Sequence, residues 1–137
     1  MSKFVEWDQS LDVKVGDMNN EHKIWINYIN ALHDEVSKNS NATTVGRAFD
    51  AMYDYTLKHF GDEEEYLKKI GYPLFDEHKQ AHEDFLNEIR NSQRKLSGTG
   101  SLPDTFFMDL KGWLIRHIKI VDTQYGNYTE RMNKKVG

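Results

Sequence analysis

Seven side chains in this sequence could hold metal together: His22, His59, Glu63, His78, His82, His117 and Asp122. Imidazole and carboxylate are the donors used for first-row divalent metals. An α-helix turns about 100° and rises about 1.5 Å per residue, so residues four apart share one face, about 6 Å apart along the axis. His59 and Glu63 have that spacing, as do His78 and His82. Each pair can aim two donors at one centre. Two six-coordinate metals offer twelve positions. Five imidazoles fill five, two bridging carboxylates fill four and a bridging oxide or hydroxide fills two. One position stays open, which suits binding of a small ligand. Imidazole with carboxylate suits iron, and ligand type alone leaves zinc, manganese and cobalt open.

A single inward histidine is more often a hydrogen-bonded core residue than a ligand. Five of them, several exactly one helical turn from another donor, point instead to metal. Glu63 lies in Asp62-Glu63-Glu64-Glu65, and acidic runs usually face solvent. Only Glu63 falls one turn from His59 on the inner face, so Asp62, Glu64 and Glu65 are assigned to solvent. His33 follows His22 by eleven residues, hence about 16 Å along the axis, too far to share the centre. His33-Asp34 also matches the paired letters of HD-type phosphohydrolases, but the other ligands do not follow that pattern. The chain has no Glu-x-x-His, against a ferritin-like carboxylate site, and no His-Glu-x-x-His.

Four helices must position these groups. Breaks fall at Lys38-Asn39-Ser40-Asn41, at Gly71-Tyr72-Pro73 and at Ser97 to Pro103. Between them apolar residues recur at helical spacing, predicting helices over about 19–37, 43–70, 74–96 and 104–125. Three short breaks make antiparallel neighbours, so the expected fold is all-α, an up-down-up-down antiparallel four-helix bundle. The apolar stripes at 49, 52, 56, 59, 63, 67, 70 and at 75, 78, 82, 85, 89 place the candidate ligands inward, where polar groups are costly unless satisfied. Helix direction adds an independent test. His22 starts the first helix, His59 and Glu63 lie late in the second, His78 and His82 start the third, and His117 and Asp122 lie late in the fourth. All seven therefore meet at one end. Trp25, Phe85, Leu86, Trp113 and Leu114 read as core, and their closeness to the ligands lets them keep the pocket dry.

Asp122 breaks the pattern. Five residues after His117 it is rotated about 140° away in a regular helix, whereas Val121 is rotated only about 40°. Either a π-type widening realigns the two, or the helix ends early and Asp122 reaches in from a loosened last turn near Gly126.

The 137 residues suit a single domain: an arm at 1–18, the bundle at 19–126 and a loose tail at 127–137. Trp7 to Val15 alternates apolar and polar, which predicts an extended N-terminal arm lying on the bundle. Net charge is −4 without a basic stripe, against a nucleic-acid partner. The absence of cysteine excludes disulfides, iron–sulfur clusters and thiolate chemistry. No apolar run reads as a signal peptide or a membrane span, so the expected location is cytoplasmic.

With Trp7, Glu21-His22-Lys23, His59-Phe60-Gly61-Asp62-Glu63, Gly71-Tyr72-Pro73 followed by His78 and His82, and Trp113-Leu114-Ile115-Arg116-His117-Ile118 ending at Asp122, the chain resembles the hemerythrin family, and within it the single-domain bacterial hemerythrins. The resemblance spans nearly the whole length. Asn19-Asn20 departs from the acidic residue common there and touches no ligand. The resemblance implies reversible dioxygen binding at two iron ions with an oxo or hydroxo bridge. It implies that His78, His82 and His117 saturate one iron, that His22 and His59 hold the other with a vacant position, that Glu63 and Asp122 bridge, and that Leu114 lies close to bound dioxygen. The expected role is that of an oxygen carrier, store or supplier and not an enzyme, because no spare inward carboxylate or histidine stands ready for acid–base work. The alternatives are a di-iron enzyme handling peroxide or nitric oxide, and a sensor acting through a separate partner.

Overall fold

The computed structural model describes residues 3–136. Among the described residues all regular structure is helical. A 3-10 turn, Gln9–Leu11, precedes α1 (Gly16–Ser37), α2 (Ala42–Lys69), α3 (Phe75–Thr99) and α4 (Phe106–Arg116). A π-helical segment, His117–Asp122, joins α4 directly to α5 (Thr123–Val136). The last three pieces form one continuous fourth helix, so the fold is the antiparallel four-helix bundle.

Local chemistry sets the ends. The Asn41 side chain accepts from the Thr44 amide at 2.9 Å and caps α2. Gly71, φ +65°, turns the chain between α2 and α3. Gly100, φ +78°, supplies the left-handed cap of α3, which therefore runs three residues past the expected end at 96. The core holds Trp25, Ile29, Leu32, Phe49, Met52, Phe60, Leu67, Leu114 and Ile118, all buried. The one polar atom of Trp25, Nε1, donates to Thr56 Oγ1 at 2.8 Å, and that hydroxyl donates to the Met52 carbonyl at 2.8 Å.

The N-terminal arm lies on the bundle, irregular apart from its 3-10 turn, with Lys14 in the left-handed region at φ +64°. Val5, Leu11 and Val13 are buried. Asn30 clamps it by accepting from the Val5 amide (2.9 Å) and donating to the Val5 carbonyl (2.8 Å). Asn19, where the family resemblance weakens, accepts from the Val13 amide at 3.0 Å and donates to Asp12 at 2.8 Å. Gly126 faces the arm from α5: a Cβ there would overlap the Val13 carbonyl oxygen.

The expected loose tail is corrected by α5, which stays helical to Val136. Its turns are tied down. The Tyr128 hydroxyl donates to the Gly71 carbonyl at 3.4 Å, Thr129 shares a hydrogen bond with Tyr66 at 2.7 Å, and Glu130 pairs with Lys14 at 3.3 Å. No helix among the described residues is long and apolar enough to cross a membrane.

Candidate metal centre

The four helices deliver all seven predicted groups to one buried cluster. His22 sits in the second turn of α1, His59 and Glu63 in the second half of α2, His78 and His82 in the first turns of α3, and His117 and Asp122 at the two ends of the π-helical segment. None exceeds 5% exposure. The five imidazoles all present Nε2 to the two carboxylates, and the carboxylates divide them into two groups. Glu63 Oε1 lies 2.6 Å from His78 Nε2 and 3.0 Å from His82 Nε2. Glu63 Oε2 lies 3.5 Å from His59 Nε2 and 3.7 Å from His22 Nε2. Asp122 divides likewise: Oδ1 is 3.1 Å from His117 and 3.2 Å from His78, while Oδ2 is 3.2 Å from His22.

Two donors bound at right angles about 2.1 Å from a common metal lie about 3.0 Å apart. Most of these spacings fall near that value. Yet His22 Nε2, His82 Nε2, His117 Nε2 and both Asp122 oxygens have no hydrogen-bond partner. Buried polar atoms at contact distance that do not hydrogen-bond one another need a third body to satisfy them. The donor set fits two metal ions. One group offers His78, His82, His117, Glu63 Oε1 and Asp122 Oδ1; the other offers His22, His59, Glu63 Oε2 and Asp122 Oδ2. The electrostatics agree. Burial alone would lower the His22 and His78 imidazoles, but Asp122 and Glu63 beside them raise His22 to about 9 and His78 to about 10. Burial would raise the Glu63 carboxyl, but His22, His78 and His82 hold it well below the usual carboxylate range. The site thus attracts positive charge, which protons or metal ions can supply.

The π-helical segment answers the Asp122 problem. In a segment with i→i+5 pairing, residues five apart align, so His117 and Asp122 face the same centre. Of the two sequence-based options, widening is the one adopted, and the helix does not end there.

Three contributors escape the sequence reading. Glu21 Oε1 accepts from His59 Nδ1 at 2.9 Å, and Glu64 Oε2 accepts from His82 Nδ1 at 3.0 Å. Each fixes the ring so that Nε2 points inward. Glu64 is therefore not a solvated bystander: its side chain is only 21% exposed. The expectation that no further carboxylate stands beside the site is corrected accordingly, although both are engaged in holding a ring. The third is Tyr125, fully buried, whose hydroxyl donates to Glu63 Oε2 at 2.9 Å. Glu21 and Glu64 each neighbour a candidate ligand in sequence, and Tyr125 follows Asp122 by three residues, but which way each side chain turns depends on the neighbouring helix.

Aromatic groups close the pocket. Phe60 stacks on His82 at 3.8 Å, and Trp113 stacks on His117 at 4.3 Å and on Phe85 at 3.9 Å. His33 stacks on Phe4 at 4.2 Å, outside the cluster.

Fold and cluster together define a four-helix-bundle protein with a histidine–carboxylate site for two metals. The Hemerythrin HHE cation binding domain profile matches residues 13–128, and the chain belongs to the hemerythrin family. It is 32% identical over 113 residues to bacteriohemerythrin of Methylococcus capsulatus, covering 82% of this chain and 86% of that protein. It is 31% identical over 120 residues to myohemerythrin of Sipunculus nudus, covering 87% and 88%. A crystal structure of wild-type hemerythrin superposes with a TM-score of 0.82 at 29% identity, over 90% of this chain and 95% of that one.

Proposed function

We propose that residues 1–137 act as one hemerythrin-like domain that binds dioxygen reversibly at a non-haem di-iron centre, as carrier, store or supplier. The observation that carries this is the unequal division of donors by the two carboxylates. His78, His82 and His117 with one oxygen each from Glu63 and Asp122 supply five positions. His22 and His59 with the other two oxygens supply four. An oxo or hydroxo bridge would add one to each, leaving one position on the His22–His59 side. Two irons held by these residues would supply the reversible two-electron chemistry that dioxygen binding needs, with His22, His59, Glu63 and Asp122 holding the ion on the open side.

The chain's own residues hold and shield that position. Glu21 and Glu64 keep the His59 and His82 rings oriented through their Nδ1–H groups, and the Tyr125 hydroxyl steadies Glu63. Leu114, fully buried one turn before His117, offers an apolar wall to the bound gas and excludes water. Because the nearby carboxylates are already engaged with imidazole N–H groups, no free acid or base is poised to carry protons to a reduced ligand. That favours binding over turnover.

The test is an optical titration. Protein expressed with adequate iron should contain two irons per chain. Its reduced form should gain a charge-transfer colour with dioxygen and lose it on deoxygenation. One metal per chain would remove the di-iron reading. Irreversible oxidation with steady turnover of peroxide or nitric oxide would make it an enzyme.

A further inference from the structure

Four of the seven tyrosines stand together at the metal end of the bundle: Tyr66, Tyr72, Tyr125 and Tyr128. They form one connected set that begins at the donor cluster. Tyr125 donates its hydroxyl to Glu63 Oε2 at 2.9 Å, the oxygen that faces His22 and His59, and its ring lies 5.8 Å from that of His78. Two ways lead out from Tyr125. Tyr66 meets it at 5.9 Å between centroids and 62° between planes. Tyr72 meets it at 6.5 Å and 85°, and Tyr128 meets Tyr72 at 5.5 Å and 71°. These are edge-to-face contacts between neighbouring rings. Exposure rises along the set: Tyr125 and Tyr72 are buried, whereas Tyr66 and Tyr128 are half-buried.

Phenylalanine would fill the same space. A phenol adds an electron and a proton that can be given up together. The Tyr66 and Tyr128 hydroxyls fasten α5, but that role does not require rings that continue inward to Glu63. The chain has no cysteine, so its one-electron donors are phenols and indoles. Trp25 also lies near the site, 5.2 Å from His59, but its N–H is given to Thr56 Oγ1, a hydroxyl that cannot keep the proton. Tyr125 has a carboxylate as its acceptor. The open position of the proposed centre is on the His22–His59 side, which Glu63 Oε2 faces, one hydrogen bond from Tyr125.

We propose that Tyr125 passes one-electron oxidising equivalents from the centre to Tyr66, and through Tyr72 to Tyr128, so that hydrogen peroxide formed at the centre is reduced at the expense of surface phenols and not of the ligands. The proposal rests on the di-iron reading. Dioxygen that keeps the two electrons of the ferrous pair, and takes two protons from water, leaves as hydrogen peroxide, and the pair stays diferric. Reduction of that peroxide breaks its O–O bond and consumes two electrons and two protons, giving two waters. Each electron comes from Tyr125, whose proton moves to Glu63 Oε2 and returns when the next ring refills it. A surface phenol ends each transfer as a phenoxyl radical and releases its proton to solvent, which supplies the protons that peroxide takes. A soluble one-electron reductant of the enediol class, such as ascorbate, returns a hydrogen atom to each phenoxyl.

The probe is hydrogen peroxide, added anaerobically to the diferric protein with a nitroso spin trap. Peptide mass spectrometry reads the adduct sites. Electron paramagnetic resonance of freeze-quenched, trap-free samples reads the radical, and expression with ring-deuterated tyrosine should narrow its signal. We expect a tyrosyl signal, with adducts on Tyr66, Tyr128 or both. Protein loaded with zinc, which has no redox chemistry, should give neither. Tyr125→Phe should keep two irons and lose these adducts. Tyr66→Phe with Tyr72→Phe changes neither a candidate ligand nor Tyr125. It should keep the tyrosyl signal, now held at Tyr125, and lose the adduct on Tyr128. Ascorbate should erase the signal faster in the parent than in this double variant.

Adducts on Tyr28, the most exposed tyrosine at 37%, without any on Tyr66 or Tyr128, would show labelling from solvent and overturn the conduit. Adducts confined to Trp25 or Trp113 would overturn it equally. So would unchanged adducts on Tyr66 and Tyr128 in an iron-replete Tyr125→Phe protein, or an unchanged adduct on Tyr128 in the double variant. No tyrosyl signal in a parent protein that holds two irons and binds dioxygen reversibly would sink the conduit and leave the di-iron reading intact. A parent protein that does not hold two irons would remove both.

Discussion

Glu63 is the residue on which both halves of the centre depend, and its neighbours show how a buried carboxylate is kept in place. It faces four imidazoles and accepts from Tyr125, with no exposure to water. Tyr125→Phe removes one hydrogen bond to a charged group, an effect of about 1–3 kcal/mol. The variant should keep two irons, because Glu63 retains its other partners, while unfolding at lower denaturant. Loss of iron would place Tyr125 among the groups that hold the metals. The imidazole-orienting carboxylates predict a different outcome. Glu21→Gln and Glu64→Gln keep the side-chain size but weaken the acceptor that fixes a ring, and such changes cost about 10- to 100-fold in metal affinity. Competition with a chelator measures this. An unchanged affinity in both would show that packing alone orients the two rings.

At the scale of elements, two joints are specific enough to test. The π segment contains one residue more than a regular helix needs to align His117 with Asp122. Deleting the exposed Ile120 converts the five-residue spacing into four, a rotation of about 40° in a regular helix. The shortened protein should still bind two irons, with His117 and the aspartate on one face and Tyr125 in register. Iron loss equal to that of His78→Ala would show that the widened backbone itself is required. The second joint is the arm against α5. Gly126→Ala places a methyl group on the Val13 carbonyl, and backbone cannot yield as a flexible side chain would. We expect a loss of about 2 kcal/mol or more, together with faster oxidation of the reduced protein. The reason for the second effect is that the arm's 3-10 turn packs on the π segment that carries His117 and Asp122. Melting temperature and the oxidation half-life check the two parts separately.

For the whole molecule, the decisive property is register between helices running in opposite directions. His33 shares α1 with His22 but stacks on Phe4 at 4.2 Å and meets Phe107 edge-on at 4.9 Å. His33→Ala should therefore keep both irons and the oxygen spectrum while losing about 1 kcal/mol of aromatic packing. His78→Ala and His82→Ala should lose metal. Equal iron loss in the His33 variant, by elemental analysis, would mean that the bundle carries its metals at a different height.

Much of this protein is written in the order and spacing of its residues. Donors one turn apart, set into apolar stripes, state both the helices and their inward faces, since helical periodicity is a local property of the chain. Breaks at Asn39, Gly71 and Gly100 alternate the helix directions, and alternation alone brings His22, His59, His78 and His117 to one end. The five-residue gap before Asp122 announces an irregularity, because only two backbone solutions could turn that carboxylate inward. What remained for the tertiary structure was the choice between those solutions and everything that depends on a neighbouring helix. Glu64 lies in an acidic run that reads as solvated; it is an acceptor because His82, from another helix, stands beside it. Tyr125 is the last residue of the fourth helix as expected from the sequence, and its hydroxyl has meaning only where α2 brings Glu63 to meet it. The end of α5 holds its helix because Tyr66, Gly71 and Lys14 lie against it, not because of its own pattern. Local spacing fixes which way a residue points along its own element, whereas long-range packing decides what it finds there.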